Sequence, residues 1–249
     1  MKPLFIVTSC IMVNKNVFSK ENMDRFIQTI NTIQSIRLHY PSSKILLCDS
    51  SHISIKELGK VHLDIISLGD IEILDFSNNK KIIEIQEESK TISIKTDTCV
   101  DCDFNLAYIK SKTETFMLLS VFKDLDIKKY DRIFKISGRY VITNRVNTNS
   151  HSKIGKITLK SPEACKIGEQ YTLSKEYRNC IFWSFCPTIY SEIFQILINI
   201  DKYLEDQKNR NLIGDIERGL SKHVPINLIE DVKVTGVVGK VDNTYLHFD

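Results

Sequence analysis

Along most of the chain, short continuous apolar runs alternate with stretches whose apolar residues recur every three or four positions. Leu4 to Val7 is a run of the first kind, the pattern of a central parallel strand covered on both faces. After Ser19, a good N-cap, Met23, Phe26, Ile27, Ile30 and Ile33 recur at helical spacing until Pro41 forbids continuation. Lys44 to Cys48 predicts a second strand, followed directly by Asp49, Ser50 and Ser51. Strand, crossover helix and strand make a βαβ unit.

Further along, Ser54 to Leu58, closed by Gly59, predicts a short helix, and Leu63 to Leu68 a third strand. The pattern between Gly69 and Asp103 is irregular. Ile82 to Ile85 and Ile92 to Ile94 read as a small hairpin within an insertion or a mobile active-site loop. Ser111, Lys112, Thr113 and Glu114 precede Phe116 to Leu119 as a capping box, so a helix begins or restarts there. Ile133, Phe134 and Ile136 then supply a buried strand that runs into the polar turn Ser137, Gly138 and Arg139. Beyond a polar loop over Asn144 to Ser152, Ile154 to Leu159 and the aromatic Ile181 to Phe185 predict strands. Ile189, Ile193, Ile196, Leu197 and Ile200 mark one helical face, Leu212 to Val224 a second helix carrying Gly214 and Gly219, and the chain from Pro225 is strand-like. This alternation is that of an α/β protein.

A chain of 249 residues, 42% hydrophobic and 26% charged, buries a substantial core as one domain. Its net charge of +3 comes from interspersed charges with no long basic run, which argues against nucleic acid as a partner. Seven cysteines, an odd number without framework-like spacing, point to free thiols in a reducing compartment and hence a cytoplasmic location. Cys99 and Cys102 form a lone C-x-x-C and read as incidental thiols. The apolar start of the chain is split by Thr8, Ser9 and Cys10 and reads as a strand rather than a signal peptide. No run approaches the length of a transmembrane helix, so membrane contact is expected to be peripheral.

In open α/β sheets ligands bind outside the carboxyl ends of the strands. Thr8, Ser9, Asp49, Ser137, Gly138 and Arg139 all fall at such ends. For Ser137 to Arg139 two readings stand, a phosphate-binding turn and an ordinary β-turn with a solvated Arg. Asp49 is either a ribose or base ligand or a turn residue. No G-x-G-x-x-G precedes it, which disfavours a dinucleotide fold. Lys112, read in a first helical turn, opposes the helix dipole, a mismatch that a bound anion offsets. Asp101 and Asp103 form a D-x-D able to hold magnesium or manganese, although they precede the strand-end position where such a pair is expected. Trp183 suits either sugar stacking or the core.

Lys135, Ile136, Ser137, Gly138, Arg139 and Tyr140 together resemble the K-I-S-G-R-Y block of a group of small GT-A-like glycosyltransferases of bacteria and large DNA viruses. Around it stand Thr8 and Ser9, Arg25 with Gln28 and Thr29, Thr32 to Ile36, Lys112 with Glu114, and Ile216 with Glu217, in the order of that group. The resemblance implies a single-domain GT-A-like fold, with a Rossmann-like, mostly parallel sheet flanked by helices. It implies a nucleotide-sugar-binding half over residues 1–143 and a mixed acceptor half over 144–249. The implied activity moves a sugar from a nucleotide diphosphate sugar to a hydroxyl of a glycan or lipid-linked acceptor. A non-catalytic nucleotide-sugar or glycan-binding protein of the same fold is the alternative. Under the first reading Thr8, Ser9 and Asp49 contact the nucleoside. Lys112, Lys135, Ser137, Gly138 and Arg139 hold the diphosphate, and Glu217 faces the acceptor. The family's strand-end D-x-D is replaced here by Ser137 and Arg139, so no metal is expected to be required, with Asp101 and Asp103 as the alternative ligands for manganese or magnesium.

Overall fold

The computed structural model describes residues 2–13, 15–91, 101–146, 148–161, 164–167, 170–173, 181–210, 212, 214–233, 235–241 and 244–247. Strand β1 (Pro3–Ser9) is buried along almost its whole length because helices cover both of its faces. Helix α1 (Lys20–His39) starts where the Ser19 hydroxyl accepts the Asn22 N–H at 3.3 Å, and it stops just before Pro41. Phe26, Ile30 and Ile33 face the sheet as expected, but Met23 and Ile27 point outward, 41% and 52% exposed. In their place the polar Asn22, Thr29 and Thr32 are buried.

Strand β2 (Lys44–Asp49) follows, then helix α2 (Gly59–Ile66), β3 (Ile71–Asp75), helix α3 (Lys80–Thr91) and the long helix α4 (Asp101–Asp124). Three expectations are corrected here. The expected short helix before Gly59 is present as a 3-10 turn over Ile55–Glu57, but Leu63 to Ile66 belong to a second helix that begins at Gly59, and the third strand is Ile71 to Asp75. A short apolar run does not distinguish helix from strand, and the true strand is a short, half-exposed edge whose apolar residues are interrupted by Glu72. Ile82 to Ile85 are helical: Ile82 and Ile85 bury one face and Ile83 stands 41% exposed. The other half of the expected hairpin, residues 92–94, lies outside the described residues. Ser111 starts no helix, because α4 is already ten residues old, and its hydroxyl instead accepts the Ile216 N–H at 3.1 Å.

The remaining elements are β4 (Arg132–Ser137), β5 (Tyr140–Ile142), β6 (Ile157–Lys160), β7 (Ala164–Ile167), β8 (Gln170–Leu173), β9 (Phe182–Phe185), α5 (Tyr190–Asn209), α6 (Ile216–His223), β10 (Ile229–Val232), β11 (Val237–Val241) and β12 (Thr244–His247). Seven strands form one sheet in the order β10-β6-β9-β4-β1-β2-β3. Within it β4, β1, β2 and β3 run parallel, and β9 is antiparallel to both β4 and β6. α1 and α2 pack on one face, over Phe5, Val7, Ile45, Leu47 and Phe134. α4, α5 and α6 pack on the other, over Leu4, Ile6, Leu46 and Trp183. Trp183 is fully buried, so of its two readings the core one holds.

β5, β11 and β12 form a separate antiparallel sheet directly after the Gly138 turn. Tyr140 lies opposite Gly239 in it, and its ring occupies the space a Cβ there would need. Among the described residues no helix is long and apolar enough to cross a membrane.

Candidate active site

The chain order places a switch at β1. From β1 the sheet grows through β2 to β3 on one side, and β4 then returns to the other side of β1. Such a switch opens a crevice beyond the strand ends. A cavity of about 350 Å³ lies there. Thr8, Ser9 and Cys10 from the end of β1, Ser50 after β2, and Ser137 and Arg139 after β4 line it, with Arg25 and Thr29 from α1. Gln86 from α3 and Ile109, Lys110, Thr113, Glu114 and Met117 from α4 complete the wall.

Hydrogen bonds between the strand ends set its floor. The Gly138 N–H donates to the Thr8 carbonyl at 2.8 Å, and the Ser50 N–H donates to the Ser9 carbonyl at 3.0 Å. The Thr29 hydroxyl bridges Ser9 Oγ at 3.1 Å and the Gly138 carbonyl at 3.2 Å. A Cβ at Gly138 would stand 3.2 Å from both Ser9 and Thr29, closer than side chains ordinarily pack. Gly138 therefore serves the junction of β1, β4 and α1 and is absent from the cavity wall. The same junction explains why α1 buries Thr29.

The cavity is rich in cationic groups. Arg139 has no hydrogen-bond or ion-pair partner among the described residues and is half-buried on the wall. Lys110 is exposed at the mouth and likewise unpaired there. Among the described residues Arg25 makes only a 3.5 Å contact with the exposed Glu21 and a 3.5 Å bond to the Cys10 carbonyl. The one carboxylate among the lining residues, Glu114, is ion-paired to the buried Lys135 and accepts from Thr8 Oγ1 at 3.5 Å. Three loosely held cations beside a neutralised carboxylate make an anion site. Burial, and then the nearby Asp49, pushes the Cys10 thiol up to about 12, which disfavours its thiolate.

Of the residues expected from sequence, Thr8, Ser9, Ser137 and Arg139 come together in the cavity. Asp49 does not line it. Its side chain is sealed under the loop after β1, accepting the Ser51 N–H at 2.9 Å and the Ile11 N–H at 3.1 Å. Burial raises its carboxyl above the usual range, with those hydrogen bonds opposing. Lys112 points to the far side of α4, where its ammonium sits 2.7 Å from both Asp201 and Glu205 of α5. Lys135 lies beneath the wall as the counter-ion of Glu114. Glu217 is buried in the first turn of α6, whose leading N–H is fixed to Ser111 on α4, and it does not line the cavity. Beside it burial, and then Glu217 itself, raises Asp215 to about 6.

Sequence reading gave no site role to Lys110 and Thr113. Residues 109, 110, 113, 114 and 117 recur at helical spacing and form one face of α4, a signal hidden by placing a helix start at Ser111.

The donor set at the end of β4 does not fit a divalent cation, because it presents a hydroxyl and a guanidinium. No three His, Cys, Asp or Glu side chains among the described residues are grouped to hold a metal ion. The backbone of Asp101 and Asp103 forms the first turn of α4, and their side chains lie outside the described residues, as do Cys99 and the side chain of Cys102.

No family model matches the sequence, and no curated protein matches it. Solved structures do match. Core-mannan synthase A from Aspergillus fumigatus, in a Mn/GDP form, superposes with a TM-score of 0.55 over 98% of this chain and 76% of that one, at 7% identity. The galactosyltransferase LgtC in complex with donor and acceptor sugar analogs matches with a TM-score of 0.49, 10% identity, 93% of this chain and 73% of that one. Mouse xyloside xylosyltransferase 1 in its apo form matches with a TM-score of 0.46, 11% identity, 93% of this chain and 84% of that one. The fold is that of the GT-A glycosyltransferases, a mixed α/β protein built on a mostly parallel seven-stranded sheet flanked by helices. At 7% identity this likeness is one of fold.

Proposed function

We propose that this protein is a glycosyltransferase that moves a sugar from a nucleotide diphosphate sugar to a hydroxyl of a glycan or lipid-linked acceptor. The observation that carries the reading is the cavity at the β1–β4 switch, where Arg139, Arg25 and Lys110 converge without strong partners. A diphosphate supplies the anion that such a set lacks. Arg139 offers two parallel N–H donors to its oxygens, and Ser9, Thr8 and Ser137 add hydroxyls at the strand ends. In the transfer step these groups stabilise the charge that builds on the departing diphosphate, and no step is assigned to a metal.

Glu217 is proposed as the base that accepts the proton of the attacking hydroxyl. The reading is tested by incubating the protein with uridine, guanosine, thymidine and cytidine donors and a broad acceptor panel. Release of the nucleotide together with a glycosylated product is expected. Donor binding without any product would favour the alternative, a binding protein of the same fold, which gains support from the absence of Glu217 from the cavity wall.

A further inference from the structure

The cavity has two chemically different walls, supplied by helices on opposite faces of the sheet. One wall, from α1 and the turn after β4, carries Arg25 and Arg139 with the hydroxyls of Ser9 and Thr29. The other, from α4, carries the carboxylate of Glu114, the hydroxyl of Thr113 and the apolar side chains of Ile109 and Met117. We propose that the α4 wall is the subsite for the donor's sugar ring, and that Glu114 makes it selective for a neutral, hydroxyl-bearing hexose over an acidic sugar. This rests on the nucleotide-sugar reading above.

Glu114 is only 5% exposed, and one of its oxygens, Oε1, takes up Lys135 and Thr8. Its Oε2 has no donor among the described residues. An ionised carboxylate only accepts, so its natural complement is a pair of sugar hydroxyls. The Thr113 hydroxyl, on a residue 7% exposed, is buried without a hydrogen-bond partner among the described residues. Buried hydroxyls are normally paired, so this one, on a residue of the cavity wall, lacks a partner that a ligand group reaching it would supply. Ile109 and Met117 suit the C–H surface of a pyranose. A hexuronate placed here would set a second acceptor-only carboxylate against the open Oε2 of Glu114, where neither oxygen has a proton to donate. Lys110 does not reverse this preference, because it is exposed at the mouth.

The test is calorimetric binding to the full chain of UDP, GDP and dTDP, each with its neutral hexose conjugate and its hexuronic acid conjugate. The wild type is expected to favour the neutral conjugate by about tenfold or more, the scale of one well-placed polar contact. Glu114→Gln is expected to bring that ratio down to about threefold or less while nucleoside diphosphate affinity stays within about threefold. Thr113→Val, which leaves the Lys135 ion pair intact, is expected to weaken the neutral conjugate by about fivefold to tenfold and spare the nucleoside diphosphate. It carries the test if Glu114→Gln does not fold. Equal binding of both conjugates by the wild type, or a Thr113→Val effect identical on diphosphate and conjugate, would overturn the subsite alone. Failure of all three nucleoside diphosphates to bind would overturn the nucleotide-sugar reading and the subsite with it.

Discussion

Lys135, in the middle of β4, forms an ion pair with Glu114 on α4, both side chains being almost wholly buried beneath the cavity wall. This pairing turns Lys135 from an expected phosphate ligand into the counter-ion of a wall residue. Removing one member of a buried pair strands the other charge, so Lys135→Met is expected to destabilise the fold by roughly 3–5 kcal/mol. Adding Glu114→Gln should recover at least part of that loss. Denaturant unfolding of both variants checks this, and a near-neutral Lys135→Met would show that the pair is not buried as described.

Lys112 serves the helix layer. Its ammonium joins Asp201 and Glu205, and the Tyr108 hydroxyl also donates to Glu205, at 3.2 Å. Because both carboxylates are about a third exposed and can rehydrate, Lys112→Met is expected to cost only roughly 1–3 kcal/mol of stability. Nucleotide affinity, measured on the folded variant, should change by no more than about twofold, since Lys112 does not line the cavity.

Glu217→Gln is expected to spare donor binding and to lower turnover by roughly 10²–10⁴-fold, the range for loss of a general base. Near-normal turnover in a folded variant would remove Glu217 from the chemistry.

What the sequence showed of this site divides along a physical line. Strand ends are legible because a short apolar run followed by Thr8 and Ser9, or by Ser137 and Arg139, marks both the strand and the groups at its tip. The partners of a polar side chain are not legible, because they come from elements distant in the chain. Asp49 is claimed by the N–H of Ile11 in the loop after another strand, and Lys112 by a helix some ninety residues on. The α/β alternation was readable from β1 through β2 and again at β4, where strands are buried on both faces. It failed at β3, a five-residue edge strand with one buried residue, whose apolar Ile71, Ile73 and Leu74 are interrupted by Glu72.

His151 supplies a pH signature. It is 2% exposed with Nδ1 2.7 Å from Ser184 Oγ, and burial, reinforced by Arg132, lowers its pKa from 6.5 to about 3. A folded-state pKa below the unfolded value means that this stabilisation is complete above pH 6.5 and is lost as pH falls towards 3. Between pH 7 and pH 5 the wild type should lose about 2 kcal/mol through this residue. In His151→Gln the loss over the same interval should be smaller by that amount, as read from denaturant midpoints.

The most direct measurement of the central claim is the thermal shift of the wild type, Arg139→Lys and Arg139→Ala with UDP, GDP, dTDP and CDP, each with and without manganese. A ligand that binds only the folded state raises the melting temperature by mass action. At least one nucleoside diphosphate is expected to stabilise the wild type, with little or no dependence on manganese. Arg139→Lys should weaken that stabilisation by losing the two-pronged geometry, and Arg139→Ala should abolish most of it. A shift that vanishes in chelator and returns with manganese would instead direct attention to Asp101 and Asp103. No shift with any of the four nucleotides, or an equal shift in Arg139→Ala, would contradict the assignment of this cavity as a diphosphate site.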